Sequence, residues 1–101
     1  MILAQVQGTV VATRKDAGLL GLKLLLVREV DAGFQATGNM LVAVDAVGAG
    51  AGELVLVASG SSARLTEVSR DKPVDAVISA IVESVEVDGR DVFRKNASAV
   101  R

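Results

Sequence analysis

The segment VAVDAVGAGAGELVLVASGSSAR, Val42 to Arg64, carries the choice between two folds. Its glycines, Gly48, Gly50 and Gly52, look like the opening of a phosphate-binding loop. A dinucleotide fingerprint needs its third glycine three places after the second, followed by a helix whose N-terminus receives the phosphate. Here the third glycine comes one place early and Glu53 stands where it belongs. The next residues are ELVLVAS, an apolar run of β type, and there is no Gly-Lys-Ser/Thr. The glycines therefore read as a tight connection between two strands, where positive φ or close backbone approach is required.

The same reading extends along the chain. MLVAVDAV (Met40 to Val47) and ELVLVAS (Glu53 to Ser59) flank the glycines as strands. LKLLLVREV (Leu22 to Val30) is a third, with Leu22, Leu24 and Leu26 on one face and Leu25 and Val27 on the other. ILAQVQGTVVAT (Ile2 to Thr13) alternates, placing Val6, Gly8, Val10 and Ala12 opposite Gln5, Gln7 and Thr9. Three of these four strands are apolar on both faces. An antiparallel sheet normally wets one face, and a parallel sheet needs long amphipathic helices to cover it. The sequence offers no such helices. The expected fold is mainly β: a small, closed, five-stranded antiparallel barrel with short helical turns, its outer wall covered by other subunits.

The connections fit that picture. TRKDAGL is a charged loop around Gly18, and DAGFQATG, Asp31 to Gly38, is a turn cluster. In GSSAR, Ser61 or Ser62 has the look of an N-cap, and KPVDA, with Pro73 at a first helical position, suggests a single helical turn. VISAIVESVEV is read as strand on its β-branched content, with a helix over Val74 to Val85 as the alternative. Asp88-Gly89 is a hairpin turn that returns RDVFRK as a last short strand, with NASAVR as a loose tail. One domain is expected, residues 1–87 forming the barrel and 88–101 the hairpin strand and tail.

Composition narrows function by exclusion. The 101 residues carry 11 basic and 12 acidic side chains, net −1, which gives no electrostatic footprint for nucleic acid or an acidic membrane. There is no Cys and no His, so thiolate chemistry, disulfides, the commonest general base and the commonest metal ligand are all missing. No run approaches the roughly 20 apolar residues of a membrane span. Nor does the N-terminus read as a signal peptide, so a soluble cytoplasmic protein is expected. Mean hydropathy is nevertheless +0.46, a surplus of apolar surface that points to permanent partners. Ser61 has no His to activate it, and nothing in the sequence places Lys72 beside it. Asp45, set in an apolar strand, needs a partner if buried, and Lys23 or Arg64 would serve. No catalytic, cofactor or metal site is expected.

Three stretches in order, GTVVATRKDAGLLGLKLLLV, VAVDAVGAGAGELVLVASGSSAR and KPVDAVISAIV, resemble the EutN/CcmL family of bacterial microcompartment vertex proteins, the match running from Met1 to about Val87. The resemblance implies a barrel akin to the oligonucleotide-binding fold. It implies a cyclic homopentamer capping the fivefold vertices of a shell, next to hexamer-forming shell proteins of another fold. It also places Gly48, Gly50, Gly52 and Glu53, and Ser61, Ser62 and Arg64, near a subunit interface or the central opening. The alternative, a single-strand nucleic-acid binder on the same barrel type, needs a basic groove and aromatic platforms. Only Phe34 and Phe93 are aromatic here.

Overall fold

The structure is a computed structural model, and it describes residues 1–95. Within them seven strands form: β1 (Ile2–Val10), β2 (Leu24–Val30), β3 (Ala36–Asp45), β4 (Leu54–Ser59), β5 (Ala76–Ile81), β6 (Ser84–Val87) and β7 (Arg90–Arg94). The first five close into a barrel in the order β1-β2-β3-β5-β4, and β6 and β7 make a separate hairpin. The expected tail NASAVR lies outside the described residues.

The five-stranded barrel is as expected, but one of its seams is parallel: Val44 pairs with Val77 and Asp45 with Ile78. Parity requires this. Directions cannot alternate around a ring of odd number, so a closed five-stranded barrel must contain a parallel neighbour pair. The chain meets the constraint by bridging β3 to β4 with residues 46–53 and returning through residues 60–75, so that β5 pairs antiparallel with β4 and lies between β4 and β3.

Local details depart from simple alternation. In β1 the register steps from Val6↔Val27 to Gly8↔Leu26. Cross-strand partners share a face, so this bulge at Gln7 puts Gly8 and Val10 on the face of Leu26 and Leu24, not with Val6. β3 begins at Ala36, inside the expected turn cluster, because Gly38 at φ 98° accommodates a second irregularity opposite β2. Asp88 and Gly89, at φ 52° and 79°, make the expected hairpin turn between Val87 and Arg90.

The interior is filled by Ala4, Val6, Leu25, Val27, Ala43, Ala49, Val55, Val57, Ala76 and Ile78. The apolar outer face has cover of its own. A six-residue 3₁₀ helix, Gly60–Leu65, lays Ala63 over Val44, Ala58 and Val77, with Leu22, Leu24 and Val74 around them. Much of the second apolar face that sequence assigned to partner subunits is therefore buried within the chain.

The two helical signals are used differently from expectation. Ser59, not Ser61 or Ser62, is the N-cap residue, and it makes no side-chain cap bond. Ser62 instead donates from Oγ to the Ser59 carbonyl at 2.8 Å, the local back-bond open to a hydroxyl three residues into a turn. KPVDA forms no helix, and Pro73 packs on the loop around Gly18, where an added Cβ would lie 2.7 Å from its Cδ. Sequence reasoning passed over Ser69, which is fully buried and bonds both Thr66 and the Ala63 carbonyl.

Candidate functional site

The glycine connection is organised by two carboxylates. Asp45, at the end of β3, has a side chain only 2 % exposed. Its Oδ1 accepts from the backbone N–H groups of Val47, Gly48 and Ala49 at 3.0, 3.0 and 3.2 Å. Its Oδ2 lies 3.9 Å from Lys23 Nζ. The principal partner of this carboxylate is thus the loop's own main chain, with Lys23 at the limit of an ion pair. A carboxylate that accepts several amide bonds is stabilised without a close cation.

Glu53 closes the other side of the loop. Its Oε1 accepts from the Gly50 N–H at 2.6 Å, and its Oε2 lies 2.7 Å from Lys95 Nζ. The Lys95 ammonium and then the Gly50 amide hold the Glu53 carboxyl below its ordinary value, and the Glu53 carboxylate raises Lys95 above its own. Lys95 also lies 3.9 Å from Glu83 Oε1. The pair ties the glycine loop to the end of the β6–β7 hairpin. Phe93 of β7 adds a ring contact with Phe34, centroids 5.8 Å apart.

Folded pKa displacement fixes the pH window of this tie. A lowered carboxyl pKa contributes stability above the unfolded value, and that contribution is lost as pH falls through the folded one. A raised lysine pKa contributes below the unfolded value, and the contribution is lost as pH rises through the folded one. The hairpin should therefore be held at neutral pH and loosen in acid below the usual carboxylate range. Amide exchange across Arg90–Arg94 should accelerate there, and Glu53→Gln should abolish the acid step. An acid profile unchanged by Glu53→Gln would remove this tie from the account.

The glycines differ from one another. Gly48 and Gly52 have φ of 79° and 83°, whereas Gly50 is not in the left-handed region. An added Cβ at Gly50 would meet only the flexible Glu53 Oε1, at 3.4 Å. Gly50 therefore needs no glycine-only backbone, and the constraint sits at its neighbours. Gly52→Val should cost about 1–3 kcal/mol, the range for a non-glycine residue held at strained φ. Gly50→Ala should melt close to the wild type. Thermal unfolding of both variants checks the order, and a Gly50→Ala loss as large as that of Gly52→Val would reverse the assignment.

The GSSAR motif lies elsewhere. Its 3₁₀ helix follows β4, whereas the glycine loop precedes β4, so six strand residues separate them. At the rise of a β-strand that is roughly 20 Å. Ser61, Ser62 and Arg64 are all exposed. Ser61 and Arg64 line an open groove of about 650 Å³ with Asp16, Gly18, Lys72 and Pro73. Lys72 and Ser61 thus share a groove, but among the described residues no hydrogen bond joins them. Among the described residues no carboxylate lies within ion-pair distance of Arg64, although Asp16 and Asp71 line the same groove; Asp45 and Glu53 are engaged in the loop.

Phe34 and Phe93 are half-buried and pack against each other at a tilt of 46°. Among the described residues no helix is long and apolar enough to cross a membrane.

A family model described as ethanolamine utilisation protein EutN/carboxysome matches residues 1–83. The chain belongs to the EutN/CcmL family. It is 44 % identical over 95 residues to the carboxysome shell vertex protein CcmL of Synechococcus elongatus, covering 94 % of this chain and 96 % of that one. The structure of CcmL from Gloeobacter violaceus superposes with a TM-score of 0.91 at 41 % identity, over 95 % of this chain and 99 % of that one. GrpN from Rhodospirillum rubrum, described as a pentameric microcompartment shell protein, gives 0.77 at 44 % identity over 86 % and 98 % of the two chains. The family model ends at residue 83, just before β6, whereas the similarity to the CcmL proteins spans 94–95 % of the chain.

Proposed function

We propose that this EutN/CcmL-family chain is a structural shell protein that forms a homopentamer and caps the fivefold vertices of a bacterial microcompartment. The observation that carries the reading is full-length similarity to proteins named as shell vertex proteins, with the same barrel. The pentameric state of GrpN supports a ring of five for this chain. In that role the partners are further copies of the chain and the hexamer-forming proteins of the shell, and the place of action is the shell inside the bacterial cytoplasm. No catalytic step is needed. Exposed Arg64, unpaired with any described carboxylate, suits a contact to a neighbouring copy, as do Ser61 and Ser62 beside it.

The test is native mass spectrometry of the purified chain at micromolar concentration. A species of five times the 10.4 kDa chain mass is expected. A monomer or dimer as the sole species would overturn the pentamer.

A further inference from the structure

Arg28 of β2 and Gln5 of β1 are cross-strand partners, so their side chains share one face of the barrel wall. Gln5 Oε1 accepts from Arg28 Nε at 3.2 Å and from Nη2 at 2.9 Å, and Gln5 Nε2 donates to the Gly52 carbonyl at 3.2 Å. The glutamine therefore holds the guanidinium by its side edge and is itself held by the glycine loop. A guanidinium has five N–H donors in a planar fork. Those on its Nη1–Nη2 end that Gln5 does not take have no acceptor among the described residues. No described carboxylate lies within ion-pair distance of Arg28 either.

Arg28 and Gln5 line a cavity of about 150 Å³ together with Val30, Phe34, Gly52, Leu54 and Phe93. Arg28 is the one charged residue of that lining. The acid next to it in sequence, Glu53, has its two oxygens on the Gly50 N–H and on Lys95. The rest of the wall is largely apolar: Val30 and Leu54 are buried, and the chain's only two aromatic residues are both here. Phe34 stands at φ 63°, a conformation bulky side chains rarely adopt. Its N–H donates to the Asp31 carbonyl at 2.9 Å, in a turn that fixes the ring's place in the wall. Bulky residues held in this way recur at ligand clamps.

We propose that this cavity binds a small free carboxylate with a compact apolar body. The carboxylate sits on the Nη1–Nη2 end of Arg28, and the body packs against Phe34, Phe93 and Leu54. The planar fork matches the two oxygens of a carboxylate, and apolar surroundings strengthen such a charge-assisted pair. Size restricts the ligand further. A cavity of about 150 Å³ takes a molecule on the scale of benzene, whereas sites for larger ligands run to about 300–1,000 Å³. All the lining residues come from one chain, so the site does not depend on the ring proposed above.

The test is methyl NMR of the purified protein, in the assembly it adopts, titrated with benzoate. Benzyl alcohol and acetate are the matched probes, one without the charge and one without the ring. Benzoate should shift the Val30 and Leu54 methyl signals saturably, with a dissociation constant of about 1 mM or below, the scale for so small a ligand. Benzyl alcohol and acetate should each bind at least about tenfold more weakly. Arg28→Gln should weaken benzoate at least about tenfold and leave benzyl alcohol unchanged, with circular dichroism as in the wild type. Phe34→Gly suits the positive φ of its position and so keeps the turn, yet it should weaken benzoate and benzyl alcohol alike. No saturable shift at Val30 and Leu54 by about 10 mM benzoate overturns the proposal, since that is ten times the expected constant. So does benzyl alcohol or acetate binding as tightly as benzoate, or an Arg28→Gln chain that binds benzoate like the wild type. None of these outcomes touches the mass measurement that tests the ring.

Discussion

Asp45→Ala should destabilise the subunit by about 2–4 kcal/mol, built on a cost of about 1–3 kcal/mol for each buried polar group left unpaired. The sum is discounted because only part of the loop is away from water: Ala49 is buried while Val47 and Gly48 are exposed. One side chain presently satisfies the N–H groups of all three residues. Removing it leaves the Ala49 amide with no described partner and frees the other two to solvent. Asp45→Asn retains one acceptor oxygen and should recover at least half the loss. If the Lys23 ion pair were the principal support, Lys23→Met would cost as much as Asp45→Ala and Asn would recover nothing. Urea unfolding of the three variants separates the cases. We expect Lys23→Met to cost under about 1 kcal/mol, since its ammonium group stands 3.9 Å away on a side chain 58 % exposed.

Ile78→Ala should cost about 3–5 kcal/mol, the upper part of the range for a large-to-small core change. Ile78 is fully buried and among the largest side chains of the barrel interior. It also sits at the narrowest point of the closure: it pairs with Asp45, and its carbonyl accepts from Ala46 N–H at 3.3 Å. Only two residue pairs join β3 to β5, so the cavity would open beside the weakest seam. Ile78→Val keeps most of the volume and should cost about 0.5–1.5 kcal/mol. An Ile78→Ala loss below about 2 kcal/mol in chemical denaturation, under the usual range, would show that the barrel collapses around the gap and that the seam is not its weak point.

Several features were legible in the sequence because they are local. The Asp88-Gly89 hairpin turn follows from two residues that tolerate positive φ, and the structure has both there. The rejection of a phosphate loop came from the strand after Gly52, and β4 begins at Leu54. Buried β-branched strands at Val55, Val57, Val77 and Ile78 were readable from composition and length. Even the parallel seam was available in principle, from the parity of a closed five-stranded ring alone.

Other features depend on what meets what in space. Asp45 was readable as a carboxylate needing a partner, yet its main partner is three backbone amides of the succeeding loop, and only the folded loop turns them toward it. Glu53 gave no hint of Lys95, 42 positions away in the chain, because nothing local links them; the hairpin must first fold back on the barrel. In the sequence Gly48, Gly50 and Gly52 were equal candidates for positive φ, but φ is set by the path of the loop, which places it at Gly48 and Gly52. The bulge at Gln7 left the alternation of β1 intact as text while reversing the face of Gly8 and Val10. The sequence by itself determined the strands, the turns and the family, since these rest on short-range sterics, periodicity and motif order. Tertiary structure alone decided which apolar faces the chain covers with its own 3₁₀ helix and hairpin, and which, at Met40 and Val42, it leaves bare, because burial depends on the closed barrel and not on any one strand.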